Sequence, residues 1–379
     1  MKLLITQSNL TLKGGAERVL LKIAQRYKAK IYTAEYNPDA TFEGFRDLDV
    51  TVIGRLGPSG LSYGRVAQGL NYGLTFYNFK IKEDYDVINA HLAPSHWIRN
   101  NNPRVLWYCH TPLRDVYDLY NFRLSLKKIY QKPVYVLGAA AVRTMDRNVV
   151  KKIELVLTNS KNTQSRLLKY LKKESTVLNG GIDYKDYKHD DPERYFIYPS
   201  RISPNKRQDY AINAFRLFRR SSDKFRDYKL ILVGDVSKDK FYYSYYKFIE
   251  RLAGDAGNVE VLTDVSDDRL RALYARSTGV LFTAINEDYG LVPLEAMASG
   301  KPIISVNEGG PRETVVDGET GFLVNNEKEM ANKMRFVAEH GAVAKNLGKR
   351  GIERVRKNYS WDRFFKRFDT ALERVMKMG

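Results

Sequence analysis

Two series of short apolar runs succeed one another along the chain, each run followed by a stretch with apolar residues at helical spacing. In the first series Lys2–Thr6 reads as a buried strand, and Ala16–Tyr27 follows with Val19, Leu20, Ile23 and Ala24 on one helical face. Further strands are predicted at Lys30–Thr33, Val50–Ile53, Asp86–His91, Val105–His110 and Glu154–Thr158. The pattern then restarts. Tyr195–Pro199 reads as a strand, Arg207–Phe218 as a helix and Leu230–Val233 as a strand ending in Gly234-Asp235; strands at Asn258–Leu262, Gly279–Phe282 and Pro302–Val306 continue the series. Continuous apolar strands alternating with helices are the mark of parallel sheets built from crossover units.

The predicted fold class is therefore α/β, with two doubly wound, Rossmann-like domains. The first is expected over residues 1–185 and the second over 190–359, with the linker within 179–191, where Gly, Asp, Tyr and Lys dominate. Ser360–Met378 reads as an amphipathic helix capped by Ser360, with Trp361, Phe364, Phe365 and Phe368 on one face. So aromatic a face needs a large apolar partner, and 360–379 is expected to pack back on the first domain. Open α/β sheets bind ligands outside the carboxyl ends of their strands, so the expected site is a cleft that the two domains face.

A length of 379 residues suits two cores rather than one. The single cysteine, Cys109, excludes an internal disulfide framework and a Cys-based zinc site. No apolar run approaches the roughly 20 residues of a spanning helix, and the first residues turn polar too soon for a secretory leader. The expected setting is reducing and cytoplasmic.

Charge changes the picture. The net is +19, and residues 120–175 alone hold 13 basic and 3 acidic residues. Such a stretch attracts an anionic partner: nucleic acid, acidic lipid or a phosphorylated substrate.

Three motifs carry candidate chemistry. Asn286–Gly300, N-E-D-Y-G-L-V-P-L-E-A-M-A-S-G, follows an apolar strand and opens a helix near Leu291. There Gly290 lets a ligand approach the backbone, and the amides of Gly290, Leu291 and Val292 at the helix start form an anion site. Glu287 lies in the loop, and Glu295, eight residues on, can accept two hydroxyl hydrogen bonds of the kind a ribose offers. Alone, this pair reads as a cap residue and a solvated helix residue. In Pro199–Arg207, P-S-R-I-S-P-N-K-R, Arg201 and Lys206 can converge on a diphosphate, one as a fork and one as a point charge. In Leu12–Glu17, L-K-G-G-A-E, Gly14 and Gly15 occupy a strand-to-helix turn open to phosphate or sugar, although G-x-G-x-x-G is absent.

Taken in this order, the motifs resemble those of glycosyltransferases of the GT-B architecture, specifically the large retaining family 4. The resemblance runs over essentially the whole chain and includes Leu232-Val233-Gly234-Asp235, Val259–Leu273, Ser299–Thr314 and Gly318–Leu323. It implies that Arg201 and Lys206 hold the donor diphosphate, Glu287 bonds sugar hydroxyls and Glu295 the ribose. It also implies that Gly290, Leu291, Val292 and Gly15 offer backbone amides and that Thr263, Asp264 and Val265 lie near the base. Gly14, Gly234 and Tyr289 join the implied donor site. Trp107–Arg114, W-Y-C-H-T-P-L-R, is similar to members that transfer mannose from GDP-mannose; His110 then lies near the donor sugar and counts with Arg201, Lys206 and Glu287 as catalytic. The implied reaction departs at the front face through an oxocarbenium-like state, with no carboxylate nucleophile of the retaining-glycosidase kind. One departure from the family pattern stands at the linker: Asn179-Gly180-Gly181-Ile182-Asp183 carries a glycine beyond, or in place of, the usual Asn-Gly.

No metal is expected. Asp47-Leu48-Asp49 and Asp84-Tyr85-Asp86 fit D-x-D, but both precede predicted strands at their amino ends, and Arg201 with Lys206 can do a cation's electrostatic work. No cofactor is expected beyond the donor, GDP-mannose or another nucleotide sugar. The expected acceptor is a glycan or polyprenyl-linked saccharide. In residues 120–175, aromatics interleaved with Lys and Arg suit an anionic membrane surface, which makes the expected location peripheral on the inner face of the cell membrane. The competing assignments are a UDP-sugar-dependent glucosyl or N-acetylglucosaminyl transferase of the same fold, a sugar-nucleotide epimerase or phosphorylase of that fold and, on charge alone, a nucleic-acid-binding protein; the pattern at Arg201, Lys206, Glu287 and Glu295 argues against an epimerase, and neither a phosphorylase-type lysine motif nor a helix-turn-helix or RNA-binding motif is found.

Overall fold

A computed structural model of the chain describes residues 1–54, 65–237 and 239–378; residues 55–64, Lys238 and Gly379, all inside the expected domains, lie outside the described residues. Two compact units divide it. Met1–Gly180 and Phe364–Gly379 form the first and Gly181–Arg363 the second. The second domain thus begins at Gly181 rather than at 190, and residues 181–185 belong to it.

The first domain runs β1 (Leu3–Gln7), α1 (Gly15–Tyr27), β2 (Lys30–Thr33), β3 (Val50–Val52), α2 (Arg65–Asn78), β4 (Val87–Ala90), β5 (Val105–Cys109), α3 (Tyr120–Ser125), α4 (Lys132–Lys152), β6 (Leu155–Thr158), α5 (Lys161–Leu171) and β7 (Thr176–Val177). All strands are parallel, in the order β3-β2-β1-β4-β5-β6-β7. β1, β4 and β5 are buried at every position, as both-faced packing in a wound sheet requires. α1 seats Val19, Leu20, Ile23 and Ala24 on this sheet. β7, only two residues long, was not visible in the apolar pattern.

The second domain runs β8 (Tyr195–Pro199), α6 (Gln208–Arg220), β9 (Lys229–Val233), α7 (Lys240–Ala256), β10 (Val259–Leu262), α8 (Asp267–Arg276), β11 (Gly279–Phe282), α9 (Leu291–Ala298), β12 (Ile303–Val306), α10 (Pro311–Thr314), β13 (Gly321–Val324), α11 (Glu327–Glu339) and α12 (Gly341–Asn358). Its parallel sheet has the order β10-β9-β8-β11-β12-β13. Gly321–Leu323, read in sequence only as part of a motif, opens its edge strand β13, and Gly321 is there because a Cβ would stand 2.2 Å from the Ile303 carbonyl oxygen.

A last helix, α13 (Trp361–Met376), crosses the unit boundary. Phe364 meets Tyr108 edge-on at 5.9 Å, Phe365 and Phe368 flank Tyr27, and Asp369 pairs with Arg26. Trp361 departs from the predicted aromatic face: it packs on Gly181 in the second domain, where a Cβ would stand 2.6 Å from the indole. That contact explains the glycine at the linker. Ile182 N–H then bonds the Tyr359 carbonyl at 2.9 Å, while Asn179 Nδ2 donates to Asn159 O at 2.9 Å within the first domain.

Candidate active site

In each sheet the strand order reverses direction at one point, and the loops that leave the carboxyl ends there diverge and open a crevice. In the second domain that point lies between β8 and β11, which are paired neighbours. Arg201 and Lys206 follow β8; Glu287 follows β11. The structure brings Lys206 and Glu287 together, with Nζ 2.5 Å from Oε2 and both side chains partly shielded. Lys206 Nζ also stands 5.7 Å over the Phe282 ring. Arg201 is exposed, and its guanidinium makes no ion pair among the described residues.

The two loops are stitched to each other by backbone. Thr283 Oγ1 donates to the Lys206 and Arg207 carbonyls, each at 2.8 Å, and Ile285 N–H donates to Asn205 O at 2.9 Å. Arg207 Nε returns a bond to Thr283 O at 2.6 Å and its Nη2 reaches Glu308 at 2.9 Å. α6 begins at Gln208, one residue after the expected start at Arg207, because Arg207 takes a left-handed conformation (φ +53°) and caps the helix.

Behind Glu287 stands Gly309-Gly310, a pair inside the Ser299–Thr314 match to which the sequence assigns no role of its own. Gly310 N–H donates to Glu287 O at 2.8 Å. A Cβ on Gly309 (φ +59°) would stand 2.4 Å from Glu287 O, and one on Gly310 would stand 2.3 Å from Tyr289 O. Consecutive glycines after an apolar strand were the available signal: nothing larger lets the two loops approach so closely.

Gly290 (φ +80°) caps α9, and the first-turn amides from Leu291 onward have no carbonyl within the helix. Glu295 is buried, and one of its oxygens accepts from Tyr274 Oη at 2.8 Å. Thr263 and Asp264 are exposed beyond β10, with Asp264 at φ +54°, whereas Val265 packs against the core. Two of the implied donor residues have structural duties. A Cβ on Gly234 would overlap Ser200 O at 1.8 Å, so that glycine is set by the meeting of the β8 and β9 loops. Tyr289 is turned into the core at 7% exposure.

The first domain's reversal point lies between β1 and β4. Gly14 and Gly15 follow β1 and open α1. A Cβ on Gly14 would stand 2.5 Å from Glu17 Oε2, and Glu17, buried, accepts from Gln7 Nε2 at 3.1 Å. Gln7 Oε1 in turn accepts from Leu92 N–H at 3.0 Å, which ties this loop to the end of β4. His110 follows β5 and is 8% exposed. Its Nε2 lies 3.0 Å from Nδ1 of His91, which the apolar pattern places only as the last residue of a strand. Burial pushes the His110 imidazole down to about 3 and that of His91 well below its usual range. The D-x-D acids sit at the amino ends of β3 and β4, where Asp49 faces Lys30 at 3.9 Å and Asp86 accepts from Lys2 N–H at 2.6 Å.

On α3, α4 and the turn between them, Phe122, Leu126, Ile129, Tyr130, Val134 and Leu137 are exposed, Ile129 by 84% and Val134 by 74%. Lys127, Lys128 and Lys132 lie among them. No helix among the described residues is long and apolar enough to cross a membrane.

Two family profiles together account for most of the chain: Glycosyltransferase Family 4 over residues 13–186 and Glycosyl transferases group 1 over residues 182–354. Among curated proteins, the chain is 26% identical to alpha-1,3/1,6-mannosyltransferase ALG2 of Dictyostelium discoideum, with 96% of each chain covered. It is 28% identical to the trehalose synthase of Pyrococcus horikoshii, over 69% of this chain and 62% of that one. Among solved structures, the Anabaena protein HepE, in complex with UDP and glucose, superposes with a TM-score of 0.75 at 20% identity, covering 98% of this chain and 99% of that one.

Proposed function

Because the chain belongs to the family-4 glycosyltransferases of GT-B architecture, we propose that it moves mannose from GDP-mannose to a glycan or lipid-linked acceptor, with retention at the anomeric carbon. The Lys206–Glu287 pair at the reversal point of the second sheet carries this reading. A lysine held by a carboxylate beside the start of α9 is a pre-set cation for a diphosphate, whose charge grows as the sugar departs. The mannosyl part is supported by the ALG2 relative, matched over nearly its whole length, and by the His110 segment.

In this mechanism the diphosphate displaces Glu287 from Lys206 and lies between Lys206, Arg201 and the amides of Gly290, Leu291 and Val292. Glu287, released, accepts sugar hydroxyls. The Glu295 carboxylate takes ribose hydroxyls while Tyr274 Oη donates to one of its oxygens. The base lies against Thr263, Asp264 and Val265. Gly14 and Gly15 give the first domain's backbone approach, and His110 orients the donor sugar. The C1–O bond to the diphosphate breaks as the acceptor oxygen bonds C1 from the same face, and the acceptor's proton passes to the leaving phosphate oxygen. Position and electrostatics do the work, with no covalent sugar–protein bond. Arg201 and Lys206 take the electrostatic role of a metal, so transfer in EDTA is expected to equal transfer in magnesium.

The exposed apolar and basic face of α3 and α4 is read as a seat on an anionic membrane, which would hold the enzyme at a lipid-linked acceptor. Co-sedimentation with anionic vesicles at low salt, lost in an Ile129→Asp, Leu137→Asp double variant, is the expected result; a wild type that stays in solution would refute it.

Calorimetry with GDP, UDP and their sugars tests the donor. Tight GDP binding and slow hydrolysis of GDP-mannose are expected, and a preference for UDP would discard mannose while keeping the enzyme. The anomeric configuration of the product, read by proton NMR, decides retention.

A further inference from the structure

β4 and β5 are paired with Asn89 beside Leu106 and Ala90 beside Trp107. Just beyond, His91 and His110 face one another. The three polar side chains Asn89, His91 and His110 form a single buried file. Asn89 Nδ2 donates to Leu106 O at 3.1 Å, Asn89 Oδ1 meets His91 Nε2 at 2.7 Å, and His91 Nδ1 meets His110 Nε2 at 3.0 Å. Asn89 and His91 are fully buried.

The first bond fixes every proton that follows. A carbonyl oxygen only accepts, so the amide turned toward Leu106 O must be the NH2 end of Asn89, and its oxygen must face His91. His91 therefore carries its proton on Nε2. As a neutral ring it then has a bare Nδ1, which can only accept, so the proton between the two histidines belongs to His110 Nε2. The reverse order would set the Asn89 oxygen against the Leu106 oxygen, two acceptors with no hydrogen between them, and turn the Asn89 NH2 away from that carbonyl. Burial keeps both rings neutral, so neither can satisfy both neighbours by taking a second proton. The main chain at both histidines is held as well: Trp107 Nε1 donates to the His91 backbone carbonyl at 3.0 Å and Asn159 Nδ2 to the His110 backbone carbonyl at 3.0 Å, while Tyr108 stacks on the His91 ring. His110 Nδ1 makes no hydrogen bond among the described residues, and unlike His96 Nδ1 it is not sealed from solvent.

We propose that Asn89 and His91 are positioning residues that lock His110 in the tautomer with its proton on Nε2, so that Nδ1 offers a lone pair and His110 accepts a hydrogen from a hydroxyl of its ligand. The proposal deepens the reading of His110 as a donor-sugar contact and rests on it for its functional half. It makes His110 an acceptor toward the sugar, never a proton donor at neutral pH. The contact thus selects a free hydroxyl at that position and discriminates against an ether or a deoxy carbon.

The test begins without substrate. Only five histidines are present, so the 15N-histidine-labelled chain gives long-range proton–nitrogen correlations assignable by single substitutions. At pH 7, His110 is expected with a protonated Nε2 and a bare Nδ1. In Asn89→Asp the carboxylate draws a second proton onto His91, whose Nδ1–H then donates to His110 and inverts its tautomer; transfer is expected to fall at least 10-fold. Asn89→Leu, apolar and of similar size, is the second variant should the carboxylate disturb folding, and it is expected to leave His110 as a mixture of tautomers. A wild-type His110 protonated on Nδ1, or both variants with unchanged His110 nitrogen shifts, would overturn the proposal. Transfer unchanged in His110→Ala would instead overturn the reading on which it rests, and the substrate-free spectrum tells the two failures apart.

Discussion

The two domains wind their strands in the same order about the reversal point, yet they place opposite chemistries at it in one case and beside it in the other. In the second, β8 and β11 present an ion pair, Lys206 with Glu287, partly open to solvent. In the first, the loops after β4 and β5 present two neutral imidazoles ordered by an amide and almost closed from water. The fold supplies the location and the sequence supplies the chemistry. A charged, half-open pair suits a ligand that arrives with its own charge and exchanges partners. A neutral, buried file suits a group that must be aimed rather than paid for in desolvated charge.

Removing the cation should break the charged half most severely. Lys206→Ala is expected to reduce kcat/KM about 10³-fold, the scale of losing one group aimed at a leaving anion, with an unchanged circular dichroism melt; near-normal transfer would refute the assignment. Next comes the support behind it. Gly309→Ala forces a Cβ toward Glu287 O at a positive φ, and about a 10²-fold loss of transfer is expected with a stability loss of about 1–3 kcal/mol. Measuring both on the same preparation separates a displaced loop from a failed fold.

The neutral half should declare itself in pH. His91 and His110 both have folded-state values below the unfolded one, so the unfolded chain binds more protons and stability is lost as pH falls below about 6.5. Each histidine contributes up to about 1.4 kcal/mol per pH unit in that window. Urea denaturation at pH 7.5 and 5.0 should show the fall, and His91→Leu should flatten its share. The smallest effect is ionic. Raising salt from about 0.1 to 1 M should weaken nucleotide binding several-fold through Arg201 and Lys206, while the His110 nitrogen shifts stay fixed.

Legibility in the sequence followed the same divide. Buried parallel strands are continuous apolar runs, so the main strands of both sheets were readable, while the two-residue β7 was not. Lys206 and Glu287 stood out because charged residues just after apolar strands break a pattern. His91 and Asn89 did not, because the strand V-I-N-A-H still reads as buried. Their alternation, two polar residues on one side of a buried strand, was the signal, and its meaning depended on Leu106 from the next strand. Gly309-Gly310 and Trp361 were likewise set by partners far along the chain, Glu287, Tyr289 and Gly181, which no local pattern names.

The first domain is discontinuous. The chain leaves it at Gly180 and rejoins it only at Phe364. On the ribosome, Tyr27 and Tyr108 are therefore made early but wait for Phe364, Phe365 and Phe368 until the whole second domain has been synthesised. The domain translated first is completed last, and in the interval its open aromatic seat is a place for a chaperone to hold.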